Sequence, residues 1–204
     1  NSYVDCPKKF WYENVLNALP ENQEAPALYK GGFFHEIVEN SSIKQKDEGE
    51  ADSLNALKKQ VSENWDTTQY LSRSVQKERQ DKKSLDFALD SYQKWTSSNP
   101  NTIVELEMKF SIHAGGYQIN GVIDRIDQTP DGDYVIVDYK TGHTTPSKVP
   151  DSLQLNIYCI AIQEKFGKLP IRASFFYVEE PEGAQWFHYD VTAKKVAEVK
   201  QTLV

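Results

Sequence analysis

Cysteine is nearly missing from this chain. Its 204 residues hold two, Cys6 and Cys159. That is too few for a disulfide framework and suits a reducing cytoplasm. Long apolar runs are missing as well: nothing approaches the roughly eighteen residues that a membrane-spanning helix needs, so no membrane role is expected. No basic-then-apolar leader follows Asn1, and a chain that starts without Met reads as a piece of a longer protein. Positive charge is also short, with 23 Lys and Arg against 30 Asp and Glu and a net charge of −7. The deficit argues against a protein that grips nucleic acid over its whole surface. It leaves room for local basic patches, for carboxylates neutralised by a metal, and for a parent protein that supplies the grip. No internal repeat is visible.

What is present is enough for a core: 39% hydrophobic and 12% aromatic residues. One compact domain with an elaboration is expected. Three zones differ in texture. Residues 1–40 are mixed and aromatic, with Phe10, Trp11 and Tyr12 adjacent. They read as a helix, a Pro-containing loop and a second helix starting near Gly32. Residues 41–100 are polar, but Leu54, Leu57, Val61 and Trp65, then Leu85, Ala88, Leu89 and Tyr92, follow helical spacing. This zone reads as an inserted helical layer with a loop around Asp47–Asp52. Residues 101–204 read as an α/β unit. Val104, Leu106, Met108, Phe110 and Ile112 alternate as one face of a strand, and Gly115-Gly116 marks a turn. Strands follow at Tyr117–Asp127, Tyr134–Lys140 and Ile171–Val178. A helix over Ser152–Phe166 stops at Gly167, which implies a parallel crossover. A short strand at Trp186–Tyr189 and a helix from Thr192 finish the chain.

The turn Thr129-Pro130-Asp131-Gly132-Asp133 fits a three-residue hairpin loop with a left-handed glycine. If Thr129 pairs with Asp133, counting outward sets Asp124 opposite Asp138. Carboxylates so placed lie roughly 5 Å apart and repel by about 3 kcal/mol at an effective dielectric near 20. A protonated acid, a bridging base or a cation must compensate. Lys140 shares a face with Asp138, so a structural ion cluster and a divalent-metal site both remain open. Oxygen ligands of this kind suit Mg²⁺ or Mn²⁺.

These residues carry a resemblance. Gly121-Val122-Ile123-Asp124-Arg125-Ile126-Asp127, with Val137-Asp138-Tyr139-Lys140-Thr141-Gly142, resembles the PD-(D/E)xK nuclease superfamily. More narrowly it is similar to RecB-like nuclease domains attached to superfamily 1 (UvrD/Rep-like) DNA helicases. Gly31-Gly32-Phe33-Phe34-His35 resembles that family's G-x-x-x-H segment, and Gln154-Leu155-Asn156-Ile157-Tyr158 its Q-x-x-x-Y helix. Ser2-Tyr3 through Cys6-Pro7-Lys8-Lys9-Phe10-Trp11-Tyr12 resembles its N-terminal S-x-x-x-C-P-x-x-F-x-Y segment.

The resemblance implies an α/β fold, with a mixed restriction-endonuclease-like sheet flanked by helices and carrying a helical insertion over 41–100. It implies metal-dependent DNA hydrolysis of exonuclease type, in repair or recombination, with DNA and helicase motor domains as partners. Asp124, Asp138 and the main-chain carbonyl of Tyr139 would bind Mg²⁺ or Mn²⁺, and His35 would add an imidazole. Lys140 would act on the attacking water or the phosphate, and Gln154 and Tyr158 would hold Lys140 and the DNA backbone. Some relatives bind an iron–sulfur cluster through the cysteine of that N-terminal segment and three cysteines near the C-terminus. Here only Cys6 matches, so no iron–sulfur cluster is expected. Blander readings stand beside these. His35 could be a core histidine, and Gln154 and Tyr158 a buried polar pair. Phe10, Trp11 and Tyr12 read as core rather than as a base-stacking platform. Arg125 and Asp127 read as surface or inter-strand contacts. Glu105 and Glu107 read as solvated surface, although Glu107 could reach the site in principle. The alternative to an enzyme is a non-catalytic nuclease-like module that holds DNA or docks a helicase.

Overall fold

A computed structural model describes residues 25–70, 74–114, 117–143, 152–189 and 191–202. The N-terminal segment with Cys6, Phe10, Trp11 and Tyr12 lies outside the described residues. Three helices come first: α1 (Pro26–Glu48), α2 (Leu54–Asn64) and α3 (Val75–Ser98). The sheet follows, with β1 (Thr102–Ala114), β2 (Tyr117–Gln128) and β3 (Tyr134–Lys140). Then come α4 (Leu153–Phe166), β4 (Arg172–Tyr177), β5 (Trp186–Tyr189) and α5 (Ala193–Thr202). The five strands lie in the order β1-β2-β3-β4-β5. Among them the β3–β4 pair is parallel and the others antiparallel, with α4 as the crossover between β3 and β4. The fold is therefore α/β with a mixed sheet, as the strand–helix–strand pattern implied. No helix among the described residues is long and apolar enough to cross a membrane.

Both faces of the sheet are covered, so the fold has three layers. On one face Met108, Ile123, Ile126 and Ile136 pack against Leu155, Cys159 and Ile162 of α4. On the other, Val135, Val137, Tyr139 and Phe176 meet Phe34 and Val38 of α1, Leu57 of α2, and Leu85 and Leu89 of α3. Strand β3 serves both cores, which is why it is apolar on alternate and on intervening positions.

Three expectations need correction. The first is the helix expected near Gly32, which begins at Pro26 and runs on to a left-handed Gly49. Pro at the first helical position is compatible with starting a helix. The glycine pair looks like a breaker, but a Cβ on Gly31 would lie 3.1 Å from Thr141 Oγ1. Close approach of α1 to the end of β3 is what that glycine permits. The second is a detail of β1: Val104, Met108, Phe110 and Ile112 share one core as the alternation implied, but Leu106 is not part of it, and a bulge between Ile103 and Glu105 interrupts the ladder.

The third correction concerns Arg125 and Asp127, which are not at the surface: both side chains are fully buried. Arg125 Nε donates to Asp127 Oδ1 at 2.7 Å, and Asn99 Nδ2 donates to Asp127 Oδ2 at 2.7 Å. The guanidinium carbon sits 4.7 Å from the centre of the Trp95 ring. An alternating strand sends neighbours to opposite faces, and here the charged neighbour of Asp124 goes inward with a carboxylate partner. Breaking one side of a buried pair strands the other charge. Asp127→Ala is expected to lower unfolding stability by about 3–5 kcal/mol, read by urea denaturation. A loss under about 1 kcal/mol, typical of exposed pairs, would contradict the buried assignment.

Candidate active site

The site begins where the β2–β3 ladder ends. Pairing runs from Gln128–Tyr134 to Arg125–Val137, the register expected from the hairpin. The hairpin closes accordingly: Thr129 N–H donates to the Asp133 carbonyl at 2.8 Å, and Gly132 has φ 85°. The next step sets Asp124 against Asp138, and there the backbone pairing gives way. The Tyr139 N–H donates instead to Asp124 Oδ2 at 2.8 Å.

Asp124 collects two neighbours on its other sides. His35, on α1, brings Nδ1 to 3.6 Å from Asp124 Oδ2. Glu107 lies between the pairs Leu106–Arg125 and Met108–Ile123, hence opposite Asp124 on β1. Ligand atoms of His35, Glu107 and Asp124 all lie within 4.8 Å of one another. Glu107 is half-buried, not the solvated residue expected. Its φ of 44° puts it in the left-handed region that residues with a Cβ rarely occupy. Such strain persists only where surrounding structure holds it.

Asp138 has a different set of partners. Its Oδ1 accepts from Gln154 Nε2 and from the Tyr158 hydroxyl, each at 3.1 Å. Lys140 Nζ lies 2.5 Å from Oδ2, although that buried oxygen has no aligned hydrogen bond among the described residues. Lys140 also donates to Gln154 Oε1 at 3.2 Å. Gln154 and Tyr158 are one turn apart on α4, joined by a 2.7 Å hydrogen bond. The helix is held in place by Ser152, whose side chain caps Leu155 N–H, and by left-handed Gly167. The residues expected from the sequence are thus brought together in two groups, one around Asp124 and one around Asp138.

The electrostatics are unbalanced. Burial, then the charge of Asp138, pushes the Asp124 carboxyl up to about 8 against the pull of the Tyr139 N–H. Burial, then Glu39 and Asp138, raises Glu107. Burial lowers His35, and Lys140 lowers it further, against Asp138 and a hydrogen bond with the Tyr139 backbone. His35 is therefore neutral at pH 7, the state in which imidazole binds metal. Fully ionised, Glu107, Asp124 and Asp138 face one ammonium, Lys140, and two negative charges are left over. Carboxylate oxygens and one imidazole, gathered within metal-ligand reach and short of two positive charges, fit a hard divalent ion. Cys159 offers nothing comparable, since burial pushes its thiol up to about 12.

Sequence reasoning set Glu107 aside as surface. The signal was available: counting back from the Ala114–Tyr117 pair beside the double-glycine turn reaches Glu107 and Asp124 together.

Comparison with known proteins gives three findings. A family model described as the PD-(D/E)XK nuclease superfamily matches residues 1–203. Over 149 residues the chain is 29% identical to a protein of Streptococcus uberis named as one subunit of an ATP-dependent helicase/deoxyribonuclease. That match covers 70% of this chain and 13% of the relative, so the chain spans a small part of that protein's length. A solved structure from Eubacterium rectale, named as a candidate exonuclease, matches 95% of this chain and 69% of its own, with TM-score 0.51 and 16% identity. At that identity the likeness speaks for the fold.

The raised Asp124 carboxyl gives a pH signature. Between 3.8 and about 8 the folded state keeps a proton that the unfolded chain has lost. Stability of the metal-free protein therefore falls as pH rises through that window. Melting temperature measured against pH is expected to fall more steeply for wild type than for Asp124→Asn. Added Mn²⁺ is expected to reverse the fall. Identical slopes for the two proteins would remove Asp124 from the centre of the site.

Proposed function

Because this chain belongs to the PD-(D/E)XK nuclease superfamily, we propose that it is a divalent-metal-dependent deoxyribonuclease that hydrolyses phosphodiester bonds by exonuclease-type action. The observation that carries this reading is the pair of groups at Asp124 and Asp138: ligand atoms of His35, Glu107 and Asp124 lie within 4.8 Å of one another, and Asp124 is held protonated up to about pH 8 unless a cation takes the proton's place. His35, Glu107 and Asp124 would hold Mg²⁺ or Mn²⁺, with Asp138 and the Tyr139 carbonyl at the same ion. The ion would lower the pKa of a bound water and relieve charge at phosphorus.

The chain's own side chains do the rest. Lys140 has only donors. Held between Asp138 and Gln154, it is placed to meet negative charge as it grows on the phosphate. Gln154 accepts from Lys140 through Oε1 and donates to Asp138 through Nε2, so it fixes both at once. Tyr158 keeps its proton, since burial and then Asp138 raise its pKa, and it donates to Asp138 Oδ1. Neutral His35 has a lone pair to give.

The relative from Streptococcus uberis is named as part of a helicase/deoxyribonuclease. That name supports a role beside a helicase motor, in the same chain or complex, in DNA repair or recombination. An acidic domain with a net charge of −7 is suited to such an arrangement, in which the motor supplies most of the hold on DNA.

The test is single-turnover cleavage of DNA at low salt with Mn²⁺. Lys140→Ala is expected to lose cleavage by a factor on the order of 10² to 10³ while Mn²⁺ binding, read by titration calorimetry, is kept. Glu107→Gln is expected to weaken Mn²⁺ binding at least by the roughly ten-fold that loss of an outer partner costs. If wild type binds Mn²⁺ and DNA yet cleaves no DNA form, the domain is a non-catalytic module that holds DNA for a motor.

A further inference from the structure

A cleft of about 330 Å³ opens directly off the catalytic cluster, and Gln154 and Tyr158 form part of its wall. Apart from Asn120 the rest is apolar, with Phe110 and Ile119 on the β1–β2 ribbon and Leu153 and Ile157 on α4. Strand β2 pairs with β3 only from Arg125 to Gln128, so the ribbon reaches beyond the sheet at Asp124 and overhangs the first turns of α4. Its outer positions are polar and exposed, as at Lys109, Ser111, Gln118 and Asn120, while Phe110 and Ile119 face the helix.

Two features show that this wall is built. Phe110 pairs with Gly121 across the ribbon, and a Cβ on that glycine would come within 2.5 Å of the Phe110 ring. The ring therefore occupies the place of the missing side chain, and it meets the Tyr158 ring edge-on at 5.8 Å. Leu153, next to Gln154, is 52% exposed on the rim, an apolar side chain left in solvent beside a polar cluster.

The geometry points to this cleft as the seat of one unstacked nucleobase, that of the nucleotide next to the phosphate under attack. The inference rests on the nuclease reading above. Gln154 and Tyr158 belong both to the cluster around Asp138 and Lys140 and to the cleft wall, so a nucleoside on one side of a phosphate held at Lys140 is within reach of the cleft. Among the described residues no charged side chain lines the cleft, which suits a base and not a second phosphate. Aromatic and aliphatic walls accept any base by its face, without reading sequence. A base lodged there is neither paired nor stacked on its neighbour, so the strand at the site is single.

The test uses the whole chain and a single-stranded oligonucleotide with one abasic position, moved stepwise along the strand, in single-turnover cleavage with Mn²⁺. Removing the base next to the cut bond is expected to slow its cleavage roughly ten-fold, and removing bases farther away is expected to leave it unchanged. Phe110→Ala should slow cleavage of the intact strand by a similar factor and add nothing on the abasic strand. Phe110 is also part of the core, so Leu153→Ser, at the exposed rim, serves as the second variant. It is expected to behave the same way, with an unchanged melting temperature. Cleavage that ignores the position of the abasic site, or losses that multiply when variant and abasic strand are combined, would overturn the base cleft while leaving the nuclease reading standing. No cleavage of any intact DNA by wild type would overturn both.

Discussion

Asp124 is asked to lie half-buried beside two other acids, and the surrounding structure follows from that demand. Carboxylates this close repel, and burial adds to the penalty. The chain answers from two directions. The Tyr139 N–H leaves the strand ladder to reach Asp124, which is why β2 and β3 separate there. Lys140 and Gln154 draw the charge of Asp138 toward α4, away from Asp124. Glu107, set opposite Asp124 by a strained turn of backbone on β1, adds to the repulsion and does not relieve it. What remains uncompensated is a deficit that a divalent ion can fill, and none of the described side chains around Asp124 fills it.

The same strand alternation that sends Asp124 to the site sends Arg125 to the opposite face. There the guanidinium lies among Asp127, Trp95 and the ring of Tyr139, all buried or half-buried. Two of its nitrogens, and the Tyr139 hydroxyl, have no aligned hydrogen-bond partner among the described residues. The main chain of Tyr139 thus touches the site while its side chain is set in a polar knot behind it. The helical layer contributes directly, because Trp95 and Asn99 come from α3 and its end.

The parts legible in the sequence were those fixed by short-range rules. The loop from Thr129 to Asp133 dictates its own turn, and the turn dictates a register that carries to Asp124 and Asp138. Ser152 and Gly167 bracket α4 by capping chemistry alone. The illegible parts depend on what a residue meets far along the chain. Nothing near Gly31 reveals that Thr141 will press on it. Arg125 and Asp127 look like surface charges until α3 covers them. Glu107 looks solvated because a left-handed glutamate is not something a periodic pattern can announce, although the count from the double-glycine turn sets it opposite Asp124. The division of the site into two groups was equally unreadable: an opposed pair of acids does not tell which one takes the lysine.

The two outer strands of the sheet bear on how the domain behaves in company. β5 offers four residues, too short a template for another chain to extend. β1 is long but interrupted: its bulge spoils a continuous ladder, Lys46 from α1 occupies the Val104 carbonyl at 2.8 Å, and Glu105 pairs with Lys165. Unpaired strand edges invite addition by neighbouring molecules, and natural sheets blunt them with bulges, charge and short length. A domain that keeps acids on an edge strand gains a second benefit from that strand's irregularity: left-handed Glu107, which lies opposite Asp124, and the bulge two residues before it both discourage the edge from zipping onto another sheet.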